Sequence, residues 1–223
     1  NRSINLNMSN TKQLDLIIWG ATGFTGQLVS EYINKKYSNT ALKWGIAGRN
    51  KEKASVIAER LNIAKDRIFI ADCNDLESLI KLTSKTKVIC TTVGPYAKLG
   101  TNLIEACIKT NTNYCDITGE TQWIRKMIDK YHSKAKENKI KIINSCGFDS
   151  IPSDMGVFYS QKNLFEKTGK YANIINMRVA GAKGGISGGT YNSLSNVLEE
   201  ARVDKEVRKT LTNPYGLNPI GKQ

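Results

Sequence analysis

No apolar run in this 223-residue chain approaches the roughly 18–20 residues of a membrane-spanning helix, which excludes a helical integral membrane protein. Proline is scarce, at four residues, and the five cysteines are an odd number without a CxxC pair. With a single histidine, His132, there is no cluster to join them, so neither a disulfide framework nor a zinc site is indicated. Composition also excludes collagen and coiled coil. The stretch from Asn1 to Met8 is polar and lacks the apolar core of a signal peptide. A reducing compartment is the plain expectation: cytoplasmic or peripheral to an intracellular membrane, not secreted. Acidic side chains are short as well, 20 Asp and Glu against 33 Lys and Arg, for a formal net charge of +13. The lysines are scattered, with no block of about five or six like charges. The excess therefore reads as surface charge, with a basic site for a phosphorylated ligand or an acidic partner surface as alternatives. Nothing but net charge supports nucleic-acid binding, so no specific nucleic acid is expected.

What is present is an alternation. Residues 1–13 are polar and expected to be flexible. Residues 14–19 form an apolar run of strand length ending at Gly20, after which Leu28, Val29, Tyr32 and Ile33 recur at helix spacing. Further strands are expected over 42–47, 67–71, 88–93, 113–117 and 140–143, and helices over 51–61, 76–82, 102–109 and 121–137. Strands alternating with helices imply βαβ units, hence an α/β fold with a doubly wound parallel sheet covered on both faces. After Phe148 the pattern changes to a helix over 151–170, a strand over 174–180, a run of glycines from Gly181 to Gly189 and a helix over about 191–210. Residues 14–150 are thus expected to form one domain. Residues 151–223 are expected to begin a second, incomplete one, for substrate or for dimerisation.

The strongest local signal is Gly20-Ala21-Thr22-Gly23-Phe24-Thr25-Gly26, after a strand and opening a helix. In that setting glycines allow a tight turn and a close backbone approach, and the helix N-terminus meets a pyrophosphate. This is the context of a Rossmann dinucleotide site, with GxxGxxG spacing. At the end of the second strand an Asp or Glu would bind the ribose hydroxyls of NAD, but the sequence there is Gly48-Arg49-Asn50-Lys51. A carboxylate would repel a 2′-phosphate, whereas Arg49 can pair with one, so NADP is expected, with NAD left open. Asp72 and Cys73, ending the third strand, are placed to touch the adenine edge; Asp72 could instead cap a helix, a role Asp75 fits better. Val93, Gly94 and Pro95 end the fourth strand on the side where an open α/β sheet binds its ligand.

For catalysis, Tyr32 and Lys36 match the Tyr-xxx-Lys spacing of short-chain dehydrogenases but lie too early in the fold, and His132 reads as a surface residue. No GxSxG elbow, HExxH or Walker lysine is present, which removes the common hydrolase and NTPase readings. Candidate proton donors near strand ends are Tyr96, Asp116, Glu120, Asp149 and Ser150. The stretch from Asp149 to Asp154 could equally be the start of a helix.

Together Gly20–Gly26, Ala47-Gly48-Arg49, Thr92-Val93-Gly94-Pro95-Tyr96, Tyr114-Cys115-Asp116-Ile117-Thr118-Gly119-Glu120, the run Cys146 to Asp154, and Gly188-Gly189-Thr190 resemble the saccharopine dehydrogenase-like oxidoreductases. That group includes mycobacterial trans-acting enoyl reductases of lipid synthesis. The resemblance implies a nicotinamide-dependent oxidoreductase with an N-terminal Rossmann domain and a larger second α/β domain. For the enoyl reductase branch it implies reduction of a carbon–carbon double bond in a lipid-like substrate. A saccharopine-type imine reductase and a non-catalytic NAD(P)-binding protein acting through partners at a lipid surface are the alternatives. Expected partners are a small-molecule or lipid-like substrate, with a homodimer and association with a membrane or lipid droplet left open.

Overall fold

A computed structural model of the chain describes residues 12–219 apart from residues 182 and 186. Six strands, β1 (Leu14–Trp19), β2 (Trp44–Gly48), β3 (Ile68–Ile70), β4 (Thr86–Thr91), β5 (Asn113–Asp116) and β6 (Ile142–Ile143), form one sheet. Its order is β3-β2-β1-β4-β5-β6 and every pair is parallel. The chain thus winds outward from β1 in one direction, then restarts beside β1 at β4 and winds outward in the other. That reversal opens a crevice beyond the C-terminal ends of β1 and β4, where ligands bind in doubly wound sheets.

The two faces explain the apolar strands. Helices α1 (Phe24–Tyr37) and α2 (Lys51–Arg60) cover one face, over a core of Ile18, Trp44, Ile46, Ile57 and Leu61. Helices α3 (Leu76–Thr83), α5 (Thr101–Thr110) and α6 (Thr121–Glu137) cover the other, over Ile17, Trp19, Ile89, Leu103 and Trp123. From Ile17 to Trp19 successive β1 residues point to opposite cores, so this part of the strand must be apolar, whereas Asp15 near its start is partly exposed and pairs with Lys87 at 2.8 Å. Each such side chain stabilises the fold by about 1.5–3 kcal/mol relative to exposure.

The expected strand ends are trimmed: β4 stops at Thr91, freeing Thr92 and Val93 to turn, and β6 keeps only two residues. A short helix the sequence pattern did not suggest, α4 (Tyr96–Leu99), follows Pro95. Of the expected flexible terminus, residues 1–11 lie outside the described residues. Lys12 is tied down, its Nζ donating to Asn111 O at 2.8 Å and Thr112 Oγ1 at 2.6 Å.

Beyond the sheet, α7 (Ile151–Thr168) is the expected helix, yet none of its residues is buried. The strand expected over 174–180 does not form: a strand needs a neighbour to satisfy its backbone, and this stretch has none among the described residues. The single helix expected over 191–210 is two, α8 (Gly188–Val203) and α9 (Lys205–Thr212). The break is at Asp204, whose carboxylate accepts the amides of Glu206 and Val207 and starts α9 anew. α9 packs on α6 through the buried Val207. No helix among the described residues is long and apolar enough to cross a membrane.

Candidate functional site

The glycine loop sits at the crevice. Gly20 has φ +90°, and a Cβ there would lie 2.5 Å from Val93 Cγ2, so both its conformation and the close approach of the turn after β4 require glycine. The amides of Gly20 and Ala21 donate to Ala47 O, hooking the loop to the end of β2. Gly23 is the N-cap of α1 and supplies no side-chain cap. The first-turn amides of α1 therefore have no acceptor of their own and are presented at the cleft, with the positive end of the helix dipole behind them. No acidic residue occupies that first turn.

Gly20, Thr22, Gly23, Phe24, Thr25 and Gly26 line one cleft of about 470 Å³ together with Arg49, Cys73, Val93 and Gly94. Ten of the twelve residues expected from sequence to meet a cofactor are thus brought to one surface. Asp72 and Pro95 are not. The Asp72 amide donates to Ser78 Oγ at 3.0 Å and its carboxylate accepts from the Asn74 amide at 2.8 Å, so both groups are spent on the turn into α3. Asp75 caps α3, accepting from the Glu77 and Ser78 amides. Pro95 is the N-cap residue of α4.

The cleft also holds residues that sequence reasoning did not assign. Asn50 and Lys53 stand beside Arg49, and Ser187, Gly188 and Gly189 close the cleft from the start of α8. A Cβ on Gly94 would lie 3.2 Å from Ser193 Oγ, which shows how closely α8 crosses the end of β4. The glycine run was legible, but its destination was not. No Asp or Glu is among the described lining residues.

Three of the candidate proton donors form a buried group near the cleft. Tyr96 packs on Trp123 with ring centroids 5.6 Å apart, and its hydroxyl donates to Thr91 O at 3.3 Å. Burial pushes the Tyr96 hydroxyl far above its ordinary pKa, and Asp116 adds to the shift. Glu120, 1% exposed, accepts the Tyr96 amide at 2.7 Å on one carboxylate oxygen and the Ala97 amide at 2.8 Å on the other. It thereby anchors the first turn of α4, which fixes the turn out of β4. Asp116 accepts from four donors: Tyr114 O–H, Asn144 Nδ2, and the amides of Thr118 and Ser145, all within 3.0 Å. It binds the end of β5 to the turn after β6, where Ser145 is held at φ +58°. Asp149 is exposed and Ser150 half-buried, on the separate turn into α7. Tyr32 and Lys36 lie on α1, and His132 is exposed on α6, away from the cleft.

Burial raises the pKa of Asp116, and its hydrogen-bond donors oppose that rise. Ionised Asp116 thus costs the folded chain more than the unfolded chain. The penalty stands at neutral pH and is relieved as pH falls through the raised native value toward the ordinary aspartate range. Asp116→Asn is expected to abolish this gain on mild acidification. It should also lower stability at pH 7 by about 1–3 kcal/mol, because an NH₂ would face two of the four donors. Thermal melts of parent and variant across that pH range check both effects; parallel pH profiles would refute the assignment.

Comparison with known proteins agrees with this geometry. Residues 16–143 match the family model described as the saccharopine dehydrogenase NADP binding domain. A Mycobacterium tuberculosis protein is 35% identical over 210 residues, covering 93% of this chain and 50% of its own length. Trans-acting enoyl reductases of Mycobacterium tuberculosis and Mycobacterium ulcerans are 34% and 32% identical, covering 92% and 94% of this chain and 50% of theirs. The chain spans about half the length of these relatives. Apo saccharopine dehydrogenase (L-Glu forming) from Saccharomyces cerevisiae shares the fold, with a TM-score of 0.54 at 19% identity over 69% of this chain and 31% of that one. With its crossover, its glycine loop and its acid-free cleft in place, the chain belongs to the saccharopine dehydrogenase family and carries that family's NADP-binding domain.

Proposed function

We propose that this chain is the cofactor-binding part of an NADPH-dependent reductase that saturates a carbon–carbon double bond in a lipid-like substrate. The observation that carries the reading is the cleft itself: uncapped helix amides and Arg49 line the same cleft, with no carboxylate among the described residues lining it. The relatives named trans-acting enoyl reductases support the reaction class. When bound, the nicotinamide supplies the hydride. The chain's own contribution is to hold the cofactor. Amides of the Gly20–Gly26 loop would hold the pyrophosphate and Arg49 the 2′-phosphate, with Thr92, Val93 and Gly94 lining the same cleft.

Tyr96, Asp116 and Glu120 serve this scheme as positioning residues, since their polar groups are committed to the turns after β4, β5 and β6. Asp149 and Ser150 are the candidates that a substrate can reach. In this reading residues 151–219 begin a substrate-handling unit. Its supports are the wholly unburied α7, the exposed Phe158 and Tyr159 on it, and relatives twice as long.

The test is a fluorescence titration of the full chain with NADPH and NADH, followed by NADPH oxidation with enoyl thioesters. Tight NADPH binding, weak NADH binding and turnover of an enoyl substrate support the proposal. NADPH binding with turnover only of imines would move it to the saccharopine type, and binding with no turnover would favour a non-catalytic NAD(P)-binding protein acting through partners at a lipid surface. Binding of neither nucleotide would overturn it.

A further inference from the structure

Two thiols lie side by side near the ends of β4 and β5. Cys90 and Cys115 are register partners in this parallel pair. Their chain neighbours Ile89 and Tyr114 are buried in the core under α3, α5 and α6, so both thiols point to the other face of the sheet. One row of partners crosses that face from β2 to β6: Ile46, Ile18, Cys90, Cys115 and Ile143. Burial fades along it. Ile46 and Ile18 are sealed under α1 and α2, whose core takes residues from β1, β2 and β3 but none from β4 to β6 among the described residues. Cys90 and Cys115 are half-buried, and Ile143 is 50% exposed. The Cys115 thiol serves Cys90 as a hydrogen-bond donor, which lowers the pKa of Cys90 and raises that of Cys115. The other cysteines are placed differently. Cys107 is buried in the core on the opposite face, Cys73 is buried at the cofactor cleft, and Cys146 sits on the turn after β6 with its thiol donating to Ile143 O at 3.6 Å.

We infer that Cys90 and Cys115 form a reversible two-electron redox site, closed to a disulfide by a hydroperoxide and reopened by a dithiol. The site does not depend on which nucleotide the cleft binds. Neighbouring strands run about 4.7–4.9 Å apart, within the roughly 4.4–6.8 Å between Cα atoms that a disulfide spans. Cys90 is the attacking thiol, because the hydrogen bond from Cys115 favours its thiolate and the thiolate is the nucleophile. Its sulfur takes the terminal oxygen of the hydroperoxide as the O–O bond breaks, and the alcohol leaves with the proton that Cys90 gave up. The Cys115 sulfur then attacks the Cys90 sulfenic sulfur. The S–S bond forms, the S–O bond breaks, and hydroxide leaves as water with the Cys115 proton. Two thiols thus lose two electrons, and one hydroperoxide becomes an alcohol and a water. A disulfide holds its Cβ atoms only about 3.5–4.5 Å apart, so closure draws β4 and β5 together, and a bridge under such strain is readily reduced.

The experiment exposes the full chain to hydrogen peroxide, alkylates the remaining thiols and maps disulfides by mass spectrometry. The parent is expected to lose two of its five thiols and the mass of two hydrogens, with the cross-link joining the peptides of Cys90 and Cys115. Dithiothreitol should restore all five. Cys115→Ser should stop at the sulfenic acid, trapped on Cys90 by dimedone, and Cys90→Ser should form neither product. Cys146→Ser should react as the parent does. Thermal melts of the unoxidised variants establish that each is folded. A parent that keeps five free thiols, or a cross-link that engages Cys146 or any other cysteine, would overturn the inference without recourse to a variant.

Discussion

Arg49→Asp is expected to cut NADPH affinity by about a hundredfold, while NADH affinity holds or improves. A charge-assisted contact with a phosphate is worth roughly 1.5–3 kcal/mol, and about 2.7 kcal/mol corresponds to a hundredfold in affinity. Reversing the charge adds repulsion to the loss. The same carboxylate, at the end of β2, occupies the position from which an acid accepts the ribose hydroxyls of NAD. Nothing in the fold opposes the change, since Arg49 is exposed and makes no ion pair among the described residues. Paired titrations of parent and variant read the ratio of the two affinities. An unchanged ratio would remove Arg49 from the site, whatever the absolute affinities do.

Gly26→Ala should have the other large effect, and on both nucleotides alike. A Cβ at position 26 would fall on the carbonyl of Gly20, 2.7 Å from its carbon and 2.9 Å from Ala21 Cα. These are backbone atoms, so no side chain can rotate away. The Gly20 carbonyl also accepts the Gly23 amide at 3.0 Å, so moving it breaks the turn that presents the first amides of α1. Overpacking of this kind costs about 1–3 kcal/mol, and with the cradle displaced both nucleotides should bind at least about a hundredfold more weakly. Gly23→Ala is the control. Its Cβ would stand 3.4 Å from Gly20 O, so the fold should tolerate it, and any loss of binding then comes from the methyl facing the ligand. Thermal melts with paired titrations separate the two variants. A Gly26→Ala protein that melts and binds like the parent would show that the loop is not the cradle described here.

Particular elements show what could be read early. β1, α1 and the glycine loop were legible because their signals are local: an apolar run, a helical period and glycines where backbones approach within contact distance. Arg49 was legible for the same reason, since a strand end fixes its place. Asp72 is held in the turn into α3 by two bonds that its strand-end position did not reveal: its amide donates to Ser78 Oγ and its carboxylate accepts the Asn74 amide. Glu120 looked like a proton donor from its neighbours alone. Its partners, the amides of Tyr96 and Ala97, lie 24 and 23 residues earlier, beyond any local pattern.

The arrival of Ser187, Gly188 and Gly189 at the cleft is more distant still, more than 160 residues after the loop they face. The strand expected over 174–180 makes the converse point. Its residues have strand chemistry, but a strand exists only where a neighbour accepts its hydrogen bonds, and the described chain offers none.

By itself, then, the sequence determined the doubly wound sheet, the dinucleotide loop and the phosphate-favouring strand end. Hydrophobic period, glycine placement and the charge of a single loop are short-range properties. The tertiary structure alone decided which polar side chains are free to act and which are spent on anchoring. It also decided that α8 would wall the cleft and that Lys53 would stand beside Arg49. Those outcomes depend on which hydrogen-bond partners and charges are brought together by folding, and spacing along the chain does not encode that.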